Sequence, residues 1–257
     1  MVEVALSLAV VAFALVAIIG ILPTGMTVQK DNREDTLMNQ EGRFWIEAFK
    51  SGARGLNDLT NYVEEIRVEP TNNTPPSPYP AVIVDNTKEP HLTATEIITL
   101  LSVPKFDFEG INRYTNRVTA RVRAITGPAT EQSPFTNTVQ STFRYQLQTE
   151  IVPYYPIPRE LIRAQLKAGD TNQSPQRFFN ESVGSNLWDV RIILRWPVIE
   201  RGNEWFVGNG RKTFRAQVSG TLGTYTNNNT RIDRDRLAIL LPNRFDVSAG
   251  ATPEPNF

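Results

Sequence analysis

The chain of 257 residues contains no cysteine and a single histidine, His91. Without cysteine there is no disulfide framework, no thiolate metal site and no thiol nucleophile. His91 lies in KEPHLTATE with no partner at motif spacing. It reads as a loop residue before a helix start, not as a catalytic base. Gly-x-Ser-x-Gly, His-Glu-x-x-His and the P-loop are missing as well. GNEWFVGNGR has glycines, but it joins two strand-like segments and does not open a helix, so it does not fit a phosphate fingerprint. An excess of one charge is also lacking: 27 basic residues face 27 acidic ones. That excludes a strong field for nucleic acid or an anionic membrane surface. Asp233 and Asp235 in RIDRDR have a spacing that calcium sites use. Arg231, Arg234 and Arg236 surround them, which favours pairing over cation binding. No catalytic residue, cofactor or metal is therefore expected, and the chain is read as a non-enzyme.

What the sequence does have is MVEVALSLAVVAFALVAIIGILPTGM at its start. The stretch Val4–Leu22 carries no charge and has about the length needed to cross a bilayer, roughly 20 residues. Val4, Leu8, Val11, Leu15, Ile18 and Leu22 represent its apolar surface. A cleaved secretory signal fits poorly, because Glu3 stands where a basic region belongs, the run is too long and no Ala-x-Ala follows. A carboxylate at the edge of hydrocarbon needs a partner or must reach water. In the first turn of a helix it also meets the positive end of the macrodipole. Gly20, Pro23 and Gly25 mark an expected kink or brief melting of that helix.

Beyond residue 25, Leu37, Met38, Phe44, Trp45, Ala48, Phe49, Gly52, Leu56, Leu59, Val63 and Ile66 recur at helical spacing. Charged residues, Glu41, Glu64 and Glu65 among them, take the other face. The spacing predicts an amphipathic continuation of the helix over 26–69, ended by Pro70 and TNNTPPSPYP. Residues 70–257 are expected to form a β-rich head. Val82–Val84 is a short strand. Thr93 and Glu96 form a capping box for a helix near 94–102. In RVTARVRAI, Val118, Ala120 and Val122 alternate with Arg117, Thr119, Arg121 and Arg123, whose side of the strand reads as solvated. Phe143, Tyr145 and Leu147 alternate in the same way. Pro158 and Gly169 bracket a second helix at 159–168, and NQSPQRFFNESVGSN reads as a loop. LWDVRIILRWPVI and KTFRAQVSGTL form a hairpin with a long turn-rich loop, and GTYTNNNTRIDRDR reads as polar tail. The fold class is α+β: a long N-terminal helix and a C-terminal antiparallel sheet.

VEVALSLAVVAFALVAIIGILP resembles the N-terminal helix of type IV pilins and of the pseudopilins of type II secretion systems. In that family a prepilin peptidase cuts after a Gly, the new N-terminal residue is methylated, and a Glu stands at the fifth mature position. The resemblance implies that Glu3 is this assembly glutamate, meeting the amino terminus of a neighbouring subunit. It also implies partners: further pilin-like subunits, an inner-membrane assembly platform, the peptidase and the bilayer. The head would lie in the periplasm before assembly and on a filament afterwards. The match departs at the front, where Met1 stands for an expected Leu and Glu3 is third. Either the start is assigned late, the favoured reading, or the chain is processed just before Met1. The large sheet domain points to a minor or specialised pilin. The alternative is a single-span anchor that displays a β-domain for binding or adhesion.

Overall fold

A computed structural model describes residues 2–52, 54–71, 81–106, 115–125, 143–157, 175–201, 204–226 and 236–244. The chain divides into two compact units, Met1–Gln40 and Glu41–Phe257. Helix α1, Val2–Ser51, begins in the first and ends in the second.

In the first unit α1 is helical straight through Gly20, Pro23 and Gly25, so no melting occurs there. Pro23 has no N–H to give to the preceding turn. The hydroxyl of Thr27 donates to the Pro23 carbonyl at 3.0 Å. The most apolar window of the helix has a mean hydropathy of 2.9 and no buried residue. At 1.5 Å per residue, Val4–Leu22 is about 28 Å long, close to the thickness of a bilayer's hydrocarbon.

The second unit is a curled seven-stranded antiparallel sheet in the order β2-β1-β3-β4-β5-β6-β7. The strands are β1 Val63–Thr71, β2 Val82–Asp85, β3 Thr115–Arg123, β4 Arg144–Pro153, β5 Leu187–Arg201, β6 Glu204–Thr226 and β7 Arg236–Pro242. One face is apolar: Ile66, Val118, Leu147, Ile192 and Leu194 on it are almost fully buried. The last turns of α1 and helix α2, Ala94–Leu101, supply Trp45, Ala48, Phe49, Ile97 and Leu101 to the same core. α2 starts at the expected capping box, with Thr93 and Glu96 bonding each other's backbone. At Gly42 the helix lies tight against the sheet, since a Cβ there would lie 2.2 Å from the Phe214 ring.

Several expectations are corrected. The helix does not run to residue 69 but stops at Ser51. Gly52 adopts φ +66° and its N–H donates to the Ala48 carbonyl at 3.0 Å. Such a left-handed glycine ends a helix whatever apolar period follows it. Val63 and Ile66 belong to β1, and their helical spacing was coincidental. The segment 175–186 is not loop but helix α3, Pro175–Asn186. Its polar sequence has no clear period; Asn180 holds it instead, donating to the Ile157 carbonyl at 3.1 Å and accepting from the Ile157 N–H at 3.0 Å. The β5–β6 hairpin has no long loop, because its ladder continues to Arg201 opposite Glu204. Part of the expected polar tail extends β6, and RLAILLP forms β7, whose run of apolar residues lacks alternation. The helix expected at 159–168 lies outside the described residues.

Candidate functional site

Two features of this chain go beyond packing. The first is the N-terminal third of α1. Val4, Leu8, Val11, Leu15, Ile18 and Leu22 are all exposed by more than half. The hydroxyl of Ser7 donates to the Glu3 carbonyl at 2.9 Å. Among the described residues nothing pairs with the Glu3 carboxylate, which sits in the first turn. A helix so covered in apolar side chains is stable only in lipid or against other apolar surfaces.

The second is the polar face of the sheet, where the strand register sets charges into rows. Glu65 lies opposite Arg121, Arg121 opposite Gln146, Gln146 opposite Arg195, and Arg195 opposite Arg211. A parallel row places Glu69 opposite Arg117, and another places Arg191 between Glu150 and Arg215. These arginines are not simply solvated. Glu64, only 5% exposed, sits at a β-bulge next to Val63. It is 3.0 Å from Arg121, 2.9 Å from Arg144 and 3.4 Å from Arg123. Arg121 also reaches Glu65 at 3.3 Å, and Glu65 bonds Arg67. Burial pulls the Arg123 guanidinium below its usual pKa, while Glu64 opposes that shift. Asp189, buried, is held at 2.6 Å by Arg215 and at 3.4 Å by Arg191. An unpaired buried carboxylate would be costly, and these arginines remove that cost.

The tip of the β5–β6 hairpin folds over this face. β6 stands three strands from β3, roughly 14 Å away in a flat sheet at about 4.8 Å per strand. Yet the Trp205 ring lies 3.8 Å from the Arg121 guanidinium carbon and 5.5 Å from that of Arg144. The ladder is interrupted between Trp196 and Val198, where Pro197 offers no N–H and a bulge bends the ribbon. Val198, Trp205 and Val207 thereby roof a cleft of about 440 Å³ whose floor is the charged ladder.

A buried triad ties α1 to the sheet beneath. Trp45 Nε1 donates to Tyr145 Oη at 2.7 Å, and Tyr145 Oη donates to Glu41 Oε2 at 2.6 Å. The Ile125 N–H donates to Glu41 Oε1 at 2.8 Å. Sequence periodicity put Glu41 on a solvated helix face; it is fully buried. Burial, and then the charge and hydrogen bond of Glu41, hold the Tyr145 phenol well above its ordinary value of 10.0. In the unfolded chain the phenol would ionise near that value, while the folded chain still holds its proton. The stabilisation is thus complete below about pH 10 and is lost as pH rises further. In an alkaline titration the phenolate absorbance of Tyr145 should appear only together with the loss of near-ultraviolet dichroism. A smooth ionisation in the folded state would contradict this.

His91 faces Asn86 O at 2.7 Å and Glu89 at 2.9 Å, as a loop histidine held by its neighbours. Asp233 and Asp235 lie outside the described residues. Among the described residues no group of three potential ligands gathers for a metal. No family model, curated protein or solved structure matches the chain.

Proposed function

We propose that this chain is a structural subunit of a type IV pilus-like or pseudopilus filament, held in the inner membrane by α1 before assembly and carried into the filament core by the same helix. One observation carries the reading. A single continuous helix is bare and apolar in its first part, has one carboxylate in its first turn, and is built by its last turns into an antiparallel sheet domain. In an apolar core the Glu3 charge requires an opposite charge, and the amino terminus of a neighbouring copy is the group the resemblance implies. The sheet domain would then face outward and make contacts between subunits or with cargo.

The cleft under the β5–β6 hairpin favours a second reading, an anchored binding module. The two part on Glu3→Ala. As a filament subunit, the variant keeps a folded head and loses filaments in electron micrographs of sheared material. If filaments form at the normal level, the role assigned to Glu3 is wrong. If, in addition, an unrelated apolar span replaces residues 4–22 without loss, the anchor reading takes its place.

A further inference from the structure

The cleft contains two kinds of polar group. Glu65, Arg67 and Arg121 are tied to one another and to Glu64, and Arg121 is stacked on Trp205. They form a rigid floor. Arg117, Thr119 and Gln146 also line the cleft, and among the described residues they form no side-chain hydrogen bond or ion pair, while Glu69 beside them interacts electrostatically with Arg67. Arg117 is directly opposite Glu69 on the neighbouring strand, and even so the two do not bridge. Thr119 is 95% buried as a residue and lines the cleft. The apolar wall is the hairpin tip, with Val198, Val207 and the half-buried Trp205.

We propose that this cleft binds an acidic saccharide, a sugar ring that carries a carboxylate. Each of these four groups has a part. The Arg117 guanidinium takes the carboxylate in two parallel hydrogen bonds. Across the strand, Glu69 accepts from one ring hydroxyl. Thr119 and Gln146 each both donate and accept, which is how a site meets neighbouring hydroxyls on one ring. The Val198–Val207 wall and the Trp205 edge cover the ring's C–H surface. About 440 Å³ lies within the range of small-ligand sites and suits one or two sugar rings. The chain is neutral as a whole, but three arginines and two glutamates line the cleft, and the guanidinium of Arg117 forms no ion pair there, so an anion meets an unanswered positive charge. A neutral sugar would leave the Arg117 charge unmet. The inference does not depend on filament assembly, because the cleft is built within residues 41–257.

The test uses the full chain in detergent on an array that carries uronate- and sialate-bearing glycans beside their neutral counterparts. Retention of acidic glycans over the neutral ones is expected. With a soluble uronate trisaccharide as probe, the tryptophan fluorescence should change saturably. Arg117→Ala should weaken that binding at least tenfold, and Arg211→Ala, which removes the same charge outside the cleft, less than twofold. Trp205→Phe should reduce the fluorescence change while the protein stays folded by circular dichroism. The proposal is overturned if no acidic glycan is retained, or if neutral glycans bind equally well. It is also overturned if Arg211→Ala weakens binding as much as Arg117→Ala, since that marks general attraction to a basic face. Retention of acidic peptides in place of glycans would assign the cleft to another partner and defeat it too.

Discussion

Glu41→Ala should lower the stability of the sheet domain by about 3–5 kcal/mol, the cost of leaving buried polar groups without partners. The carboxylate is fully buried and accepts from both the Tyr145 hydroxyl and the Ile125 N–H. Its removal leaves both donors unsatisfied and opens a cavity beside Trp45. For a domain of this size, each kcal/mol moves the melting temperature by roughly 2–4 °C, so a fall of about 6–20 °C is expected. Glu41→Gln keeps an acceptor for Ile125 and should fall by about half as much. Tyr145→Phe strands the Trp45 N–H and one Glu41 oxygen and should also destabilise. Because the three side chains form one network, Glu41→Leu with Tyr145→Phe should cost clearly less than the two single changes added together. Melting of the full chain in detergent, followed by near-ultraviolet dichroism, reads all five variants, Glu41→Leu alone included. A drop below about 1 kcal/mol for Glu41→Ala would mean that the triad adds little beyond packing.

The second large effect concerns the opposite face. Glu64→Ala should cost about 3–5 kcal/mol, as expected when a buried ion-pair network loses its central partner. Arg121, Arg123 and Arg144 would then face one another, with Arg123 directly opposite Arg144 across the β3–β4 ladder. Like charges directly opposite are unfavourable in any sheet. The loss should be visible beyond a lower melting point. Arg121 and Arg144 hold the Trp205 ring through their guanidinium faces. Once they splay apart, the hairpin tip loses its seat, and the Trp205 emission should shift to the red below the melting transition. Glu64→Gln keeps some acceptor capacity and should lie between wild type and alanine. If Glu64→Ala melts like wild type with unchanged emission, the charge ladder does not hold the hairpin down.

Much of this protein is legible from local pattern. The apolar run of α1, the alternation in β3, β4 and β5 and the Thr93–Glu96 capping box each depend on residues a few positions apart. Backbone geometry converts such spacing directly into a face, a strand or a helix start, with little help from the rest of the chain. The helical stripe beyond Ser51 failed for the converse reason. A glycine in the left-handed region ended the helix; Leu59 then reaches the core from a short 3-10 turn and Val63 and Ile66 from a strand.

The sequence by itself determined that a helix long and apolar enough to cross a membrane precedes an antiparallel α+β domain, and that one carboxylate opens that helix. The tertiary structure alone decided which charges are interior. Glu41 and Tyr145 are 104 positions apart, and Glu64 meets Arg144 from 80 positions away, so no local period separates these carboxylates from solvated ones. It also decided that the hairpin tip bends over the charged rows and makes a cleft, because that depends on Trp205 meeting two arginines on strands that the chain reaches much earlier. Burial of a charge is a property of its partners, and partners distant in sequence become visible only once the chain has folded.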